Sequence, residues 1–149
     1  MADTSDVATL NTLIATLYDS AEGYETSAGD IRDPALARRF TARAEERRTV
    51  LGTLRETVRR LGGTPEDDGS LAGSAHRVFV NLKQAVTGSD DQAIVNEIER
   101  GEDYLKGKFE AALSADALSG EARQAVQQAW ESVRAGHDEM SQLKHSMRG

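Results

Sequence analysis

One histidine in the last part of the chain lies within an apolar helical stripe. His137 follows apolar residues at three- and four-residue steps, the spacing that places side chains on one face of an α-helix. The members of the stripe are Val126, Ala129, Trp130, Val133, His137 and Met140. An imidazole in such a position needs a polar partner. The candidate partners on or beside the apolar stripes of other segments are Glu22, Glu45, Arg47 and Glu102.

Carboxylates and an imidazole on facing helices are the ligands of a metal centre inside a helical bundle. Bundle proteins with two iron or manganese ions take a Glu from each of two helices and a Glu-x-x-His pair from each of the others. This sequence departs from that pattern, because Arg48 stands three residues after Glu45 and Arg134 three residues before His137. A guanidinium stays protonated and has no free lone pair, so a complete dinuclear site is disfavoured. The residues that remain as ligands for one iron or manganese ion are Glu22, Glu45, Glu102 and His137.

The other interpretation is that arginines stand in place of metal ions. Arg47 or Arg48 would bridge the acids named above and neutralise carboxylates that otherwise could not be buried. Arginine in ligand positions favours this interpretation over a metal site. It predicts a core polar network that contains Tyr24, Arg47, Arg48 and Arg134, and no bound cofactor.

Four long amphipathic segments must position these residues. The first predicted helix begins at Ser5 or Asp6 and runs to about Gly29, and the second follows Asp33-Pro34 and stops at Gly62-Gly63. The third starts near Ser89-Asp90, and Ser119 or Gly120 opens the fourth. The second helix carries a heptad seam in which Arg47 is the one charged member; its members are Phe40, Ala44, Arg47, Leu51, Leu54, Val58 and Leu61.

The link between the second and third helices is long. It begins with an acidic, turn-forming stretch from Thr64 to Ser70 and then contains a short amphipathic segment with Val78, Phe79 and Leu82. A long link allows helix three to run parallel to helix two, as in ferritin-like bundles. We therefore expect a single all-α domain over residues 1–149, a ferritin-like four-helix bundle with a long crossover that contains a short helix. If its apolar residues stay uncovered, that segment would pack on a second copy in a homodimer.

Composition excludes several classes of function. The 149 residues carry a formal net charge of −7, which argues against binding to nucleic acid. The chain has no cysteine, no long apolar stretch, no phosphate-binding loop and no recognisable catalytic triad, and its polar, acidic start does not resemble a secretion signal. We therefore expect a cytoplasmic protein that binds neither nucleic acid nor membrane, and that is neither a hydrolase nor a nucleotide enzyme.

Several short motifs together resemble one known family. They are Leu10-Asn11-x-Leu13-Ile14, Glu22-Gly23-Tyr24, Ala44-Glu45-Glu46-Arg47, Val58-Arg59-Arg60-Leu61-Gly62-Gly63, Gly69-Ser70-Leu71-Ala72-Gly73 and Glu99-Arg100-Gly101-Glu102-Asp103. The chain resembles, over nearly its whole length, a bacterial family of ferritin-like four-helix bundles whose domain has no known function. The resemblance implies a ferritin-like fold, a cytoplasmic bacterial protein and an association with stress responses, but it implies no reaction.

Two functional hypotheses follow. In the first, the protein is a non-catalytic, stress-associated bundle that works by association, as a dimer, with Arg and Glu in a degenerate di-metal site. In the second, it is a metal-dependent oxidase or an iron-handling protein that uses Glu22, Glu45, Glu102 and His137. The arginines at ligand positions favour the first hypothesis.

Overall fold

Four long helices make up the described part of the chain. The computed structural model describes residues 4–66, 91–114, 118 and 120–148. Helix α1 spans Thr4–Asp30, α2 spans Pro34–Arg60, α3 spans Asp91–Ser114 and α4 spans Gly120–Arg148. The described residues form no strand, so the predicted four-helix, all-α class is confirmed. The short crossover helix predicted around Val78 to Val86 lies outside the described residues.

The start of α2 shows why the predicted helix boundaries were close. Asp33 is its N-cap, with a side-chain oxygen that accepts a hydrogen bond from the backbone N–H of Ala35, and Pro34 follows in the first turn. At the other end, Gly62 has a φ of 84°, the left-handed conformation that terminates a helix and that glycine adopts without strain. Local capping chemistry therefore fixes both ends of this helix.

Contacts between helix ends establish the order of the bundle. The Asp91 carboxylate accepts hydrogen bonds from the backbone N–H groups of Arg32 and Asp33, so α3 begins beside the loop that joins α1 to α2. At the opposite end, Arg60 at the end of α2 bonds Glu121 at the start of α4. Helix α3 therefore runs parallel to α2, as the long link predicted, and α4 runs parallel to α1. Helices α2 and α3 lie diagonally opposite each other, because each packs against α1 and α4.

The apolar core consists of two clusters stacked along the bundle axis. One contains Leu10, Leu17, Leu51, Leu105 and Val133, among others, and lies toward the end where α1 begins. The second contains Tyr24, Phe40, Ala44, Ile98 and Met140, and lies toward the loop between α1 and α2. Each helix passes from one cluster to the other near its middle. The residues at that crossing form the candidate site.

Candidate functional site: a central polar layer

A layer of polar and small residues separates the two apolar clusters. Each helix contributes one residue at the crossing: Ser20 from α1, Arg47 from α2, Glu102 from α3 and Gly136 from α4. Each continues the three- and four-residue spacing of its own helix, for example Ala44, Arg47 and Leu51. We call these four residues the central polar layer.

Arg47 and Glu102 form a two-pronged ion pair across the long diagonal of the bundle. Arg47 Nη1 lies 2.7 Å from Glu102 Oε1, and Arg47 Nη2 lies 2.7 Å from Glu102 Oε2. Arg47 Nη1 also donates to the hydroxyl of Ser20 at 2.7 Å. The two charged side chains are 0% and 2% exposed. Parallel fork-to-carboxylate bonds of this kind are among the strongest hydrogen bonds in proteins, so they offset much of the cost of burying two charges.

The charges of the pair stay in place because each stabilises the other. Burial acts to lower the pKa of Arg47, but the Glu102 carboxylate outweighs it through its charge and hydrogen bonds, and the pKa is raised. The guanidinium therefore remains protonated at any physiological pH, and it occupies both oxygens of Glu102.

Tyr24 packs against the ion pair from the second apolar cluster. Its ring lies 5.7 Å from the guanidinium carbon of Arg47 and meets the ring of Phe40 edge-on at 5.4 Å. Burial raises the pKa of Tyr24 well above its usual value, and the charge of Glu102 adds to the rise. Among the described residues, neither the Tyr24 hydroxyl nor Arg47 Nε has a hydrogen-bond partner. The layer is therefore tightly packed, but some of its polar atoms lack a hydrogen-bond partner among the described residues.

Gly136 is the position at which α4 accommodates the guanidinium. A Cβ atom at Gly136 would overlap Arg47 Nη2, and it would lie 3.1 Å from Glu102 Oε2 and 3.2 Å from Arg43 Cδ. The missing side chain thus leaves the space that the ion pair fills. The apolar pattern of α4 did not reveal this, because it placed His137 on the stripe. The alternative spacing Val133, Gly136, Met140 was the available signal.

A second charged network lies beside the layer, on the surface between α2 and α4. Arg43 Nη2 bonds Glu139 at 2.8 Å, Arg39 bonds the same carboxylate at 2.9 Å, and Arg43 Nη1 bonds Glu46 at 2.7 Å. Burial acts to raise the pKa of Glu139, but the hydrogen bonds from the two arginines outweigh it and lower that pKa. This network holds α4 against α2 just outside Gly136.

The structure does not bring the four candidate metal ligands together. Glu102 is in the core, whereas Glu22 and Glu45 are exposed on their helices, since both flank the apolar stripes instead of continuing them. His137 is near the surface, with a side chain 14% exposed, and its Nε2 lies 2.6 Å from Asp103. In the described ranges, no three His, Asp or Glu residues are grouped so that they could hold a metal ion. The expected convergence of these ligands was therefore wrong.

The predicted polar network is also smaller than expected. Tyr24 and Arg47 lie in it, but Arg48 and Arg134 do not. Arg48 pairs with Glu25, and Arg134 pairs with Glu131, one turn away on its own helix; both arginines are about half exposed, at 43% and 55%. The prediction that Arg48 and Arg134 lie in the core network was wrong for one reason. Consecutive residues on an α-helix point about 100° apart, so a residue that follows a buried one in sequence faces solvent. Such surface pairs contribute little stability.

The fold and the layer define a class of protein: a four-helix bundle with an arginine–glutamate ion pair at its centre. The chain belongs to the family described as a domain of unknown function (DUF2383), which it matches over residues 5–115. The matched span includes α1 to α3 and ends before α4. No curated protein matches the chain. None of the described helices is long and apolar enough to cross a membrane.

Proposed function

We propose that this protein is a ferritin-like bundle without catalytic activity, in which the Arg47–Glu102 pair stands where metal-binding bundles of that fold hold two ions. The protein would work by association, as a homodimer in the cytoplasm, in a response to stress. The single observation that carries the proposal is the buried ion pair. The parallel arrangement of α2 and α3 supports the ferritin-like comparison.

The chemistry of the layer does not fit an iron or manganese centre. Such ions need several oxygen ligands with free lone pairs. Both oxygens of Glu102 already accept hydrogen bonds from a guanidinium, which cannot be a ligand and would repel a dication. The other carboxylates proposed from the sequence are exposed on the outside of the bundle. We therefore propose that the protein needs no resident metal.

Metal analysis of the purified protein tests this half of the proposal. The protein is prepared without chelator, incubated with Fe(II) or Mn(II), desalted and analysed by plasma mass spectrometry. Wild type, Glu102→Gln and the exposed control Glu110→Gln, which lies outside the candidate ligand set, should all retain far less than one ion per chain. Near-stoichiometric iron or manganese in wild type and in Glu110→Gln, but not in Glu102→Gln, would overturn the metal-free hypothesis.

Mass measurement in solution tests the association half. Light scattering coupled to size exclusion should give twice the chain mass. The apolar pair Val78-Phe79 is the sequence feature that motivates a dimer, so Phe79→Asp should shift the mass toward the monomer, while Lys83→Asp, a change on the same segment at a polar position, should not. A monomeric wild type would refute the dimer without affecting the metal result. The stress association rests on the family resemblance, and expression before and after a stress challenge tests it.

A further inference from the structure

A groove lies on the surface between α1 and α3, to one side of the central polar layer. It is near the end of the bundle where α1 begins and α3 ends. Its volume is about 260 Å³. The side chains along it from the two helices are Thr9, Thr12, Leu13, Lys108, Ala111 and Ala112. These are mostly small residues, so the two helices leave space between them at this level.

The groove has an apolar floor and a rim that solvent reaches. Leu13 and Ala112 are buried, and Leu118, which closes the groove at the end of α3, is buried as well. Ala111 is exposed, and Lys108 is half-buried. A cavity of about 150 Å³ in another protein accommodates benzene, which has six heavy atoms. By that scale, the groove has room for an aliphatic molecule of about ten heavy atoms.

Among the described residues that line the groove, Lys108 is the charged one. Its ammonium lies 5.4 Å from the centre of the Tyr104 ring, which holds it by a cation–π contact. Within the described part of the chain, no carboxylate pairs with it, although most of the arginines there are paired with acids. Apolar side chains with a few placed polar groups are also the lining that small-molecule sites use, although this groove is smaller than most of them.

We propose that this groove binds a medium-chain aliphatic carboxylate, such as a fatty acid of about eight carbons. The carboxylate pairs with the Lys108 ammonium at the rim, and the alkyl chain lies over Leu13, Ala112 and Leu118. Charge complementarity selects an anion, because a cationic head group would meet the lysine and a neutral one would gain no ion pair. The volume of the groove limits the length of the chain.

Titration with octanoate as the probe tests the proposal. Octanoate labelled with ¹³C at its carboxyl carbon is titrated into the full chain, and binding is followed by calorimetry and by the carboxyl NMR shift. Saturable binding with one site per chain is expected. Octanol should bind more weakly than octanoate, by roughly fivefold, the scale of one partly exposed ion pair.

Three variants test whether the ligand binds in the groove. Lys108→Met should weaken octanoate binding by roughly fivefold and leave octanol unchanged. Lys106→Met removes the same charge from the same helix at a position that does not line the groove, so it should bind octanoate as wild type does. Ala111→Trp should fill the groove from its exposed rim and abolish binding of both probes. Circular dichroism confirms that each variant is folded.

Three results would overturn the assignment. The first is a wild-type protein that shows no saturable binding of octanoate below its micelle-forming range. The second is saturable binding that Lys108→Met and Ala111→Trp leave unchanged, because the ligand would then lie elsewhere. The third is an equal loss of affinity in Lys106→Met and Lys108→Met, because it would show attraction to the general charge of α3 and not to the groove.

Discussion

Replacing Gly136 with alanine should destabilise the protein, although alanine is the better helix former. Glycine in a helix interior costs about 1 kcal/mol relative to alanine, so the change gains that much in an unconstrained helix. At Gly136, the new methyl group would overlap Arg47 Nη2 and approach Glu102. The guanidinium has nowhere to go, because it is fully buried and hydrogen-bonded to Glu102 and Ser20.

The structure sets the size of the effect. Breaking a buried ion pair so that one charge loses its partner costs about 3 to 5 kcal/mol. After the gain in helix propensity, Gly136→Ala should lower the free energy of unfolding by about 2 to 4 kcal/mol. The controls are Gly107→Ala and Gly52→Ala, where an added Cβ would meet nothing within 4 Å. Each of these should raise the free energy of unfolding by about 0.5 to 1 kcal/mol.

Urea unfolding, followed by far-UV circular dichroism and by the fluorescence of Trp130, measures these changes. The midpoint should fall in Gly136→Ala and rise in the controls, with a similar slope throughout. A double variant sharpens the test. With Arg47→Met, the crowded group is gone, and Gly136→Ala should then become neutral or stabilising. If Gly136→Ala stabilises the wild-type protein as the controls do, the reasoning about the polar layer is refuted.

Three other perturbations have defined outcomes. Arg47→Met alone should lower the free energy of unfolding by about 3 to 5 kcal/mol. Arg47→Met with Glu102→Leu should recover most of this loss, since the double change leaves no unpaired buried charge. If urea unfolding shows that the losses of the two single variants add in the double variant, the reasoning is contradicted. Asp91→Ala removes two hydrogen bonds at the loop before α2. It should lower the free energy of unfolding by about 1 kcal/mol and speed hydrogen exchange at the backbone amides of Arg32 and Asp33. Unchanged exchange at these amides would show that Asp91 does not hold the loop. The pKa of Glu139 is lowered from 4.5 in the folded state, so this carboxylate adds stability above pH 4.5 that is lost as the pH falls through the folded pKa. In Glu139→Gln, the free energy of unfolding should therefore fall less steeply with decreasing pH. The same dependence of the free energy of unfolding on pH from 6 to 2 in both proteins would count against the network.

Local signals in the sequence predicted the helices and much of the core. Caps, glycines and a proline fix where α2 begins and ends, and the heptad seam of α2 identifies its buried face, Arg47 included. These features depend on a few neighbouring residues, so they can be recognised without knowledge of the fold. The long link after α2 also allowed α3 to return and run parallel with it, because only a short link would have required the next helix to start at the end where α2 stops.

The composition of the polar layer was beyond such reasoning. Periodicity placed His137 on the inner face of α4 and gave no role to its neighbour Gly136, because a glycine carries no hydropathic signal. Glu22 and Glu45 appeared to be partners of Glu102, but each lies on a solvent-facing side of its helix. A step of one position along a helix changes the direction of the side chain by about 100°, which is enough to decide whether it lies in the core or on the surface.

What the sequence by itself determined is the four long helices, their approximate ends and a charged residue on the inner face of α2. Only the tertiary structure decided which acid meets that charge and where the space for it comes from. Arg47 spans the long diagonal to Glu102 because α2 and α3 lie opposite each other, while Ser20 and Gly136 are small where the other two helices approach. The physical reason is that helix formation depends on neighbours along the chain, whereas burying a charge depends on groups brought together from four helices at once.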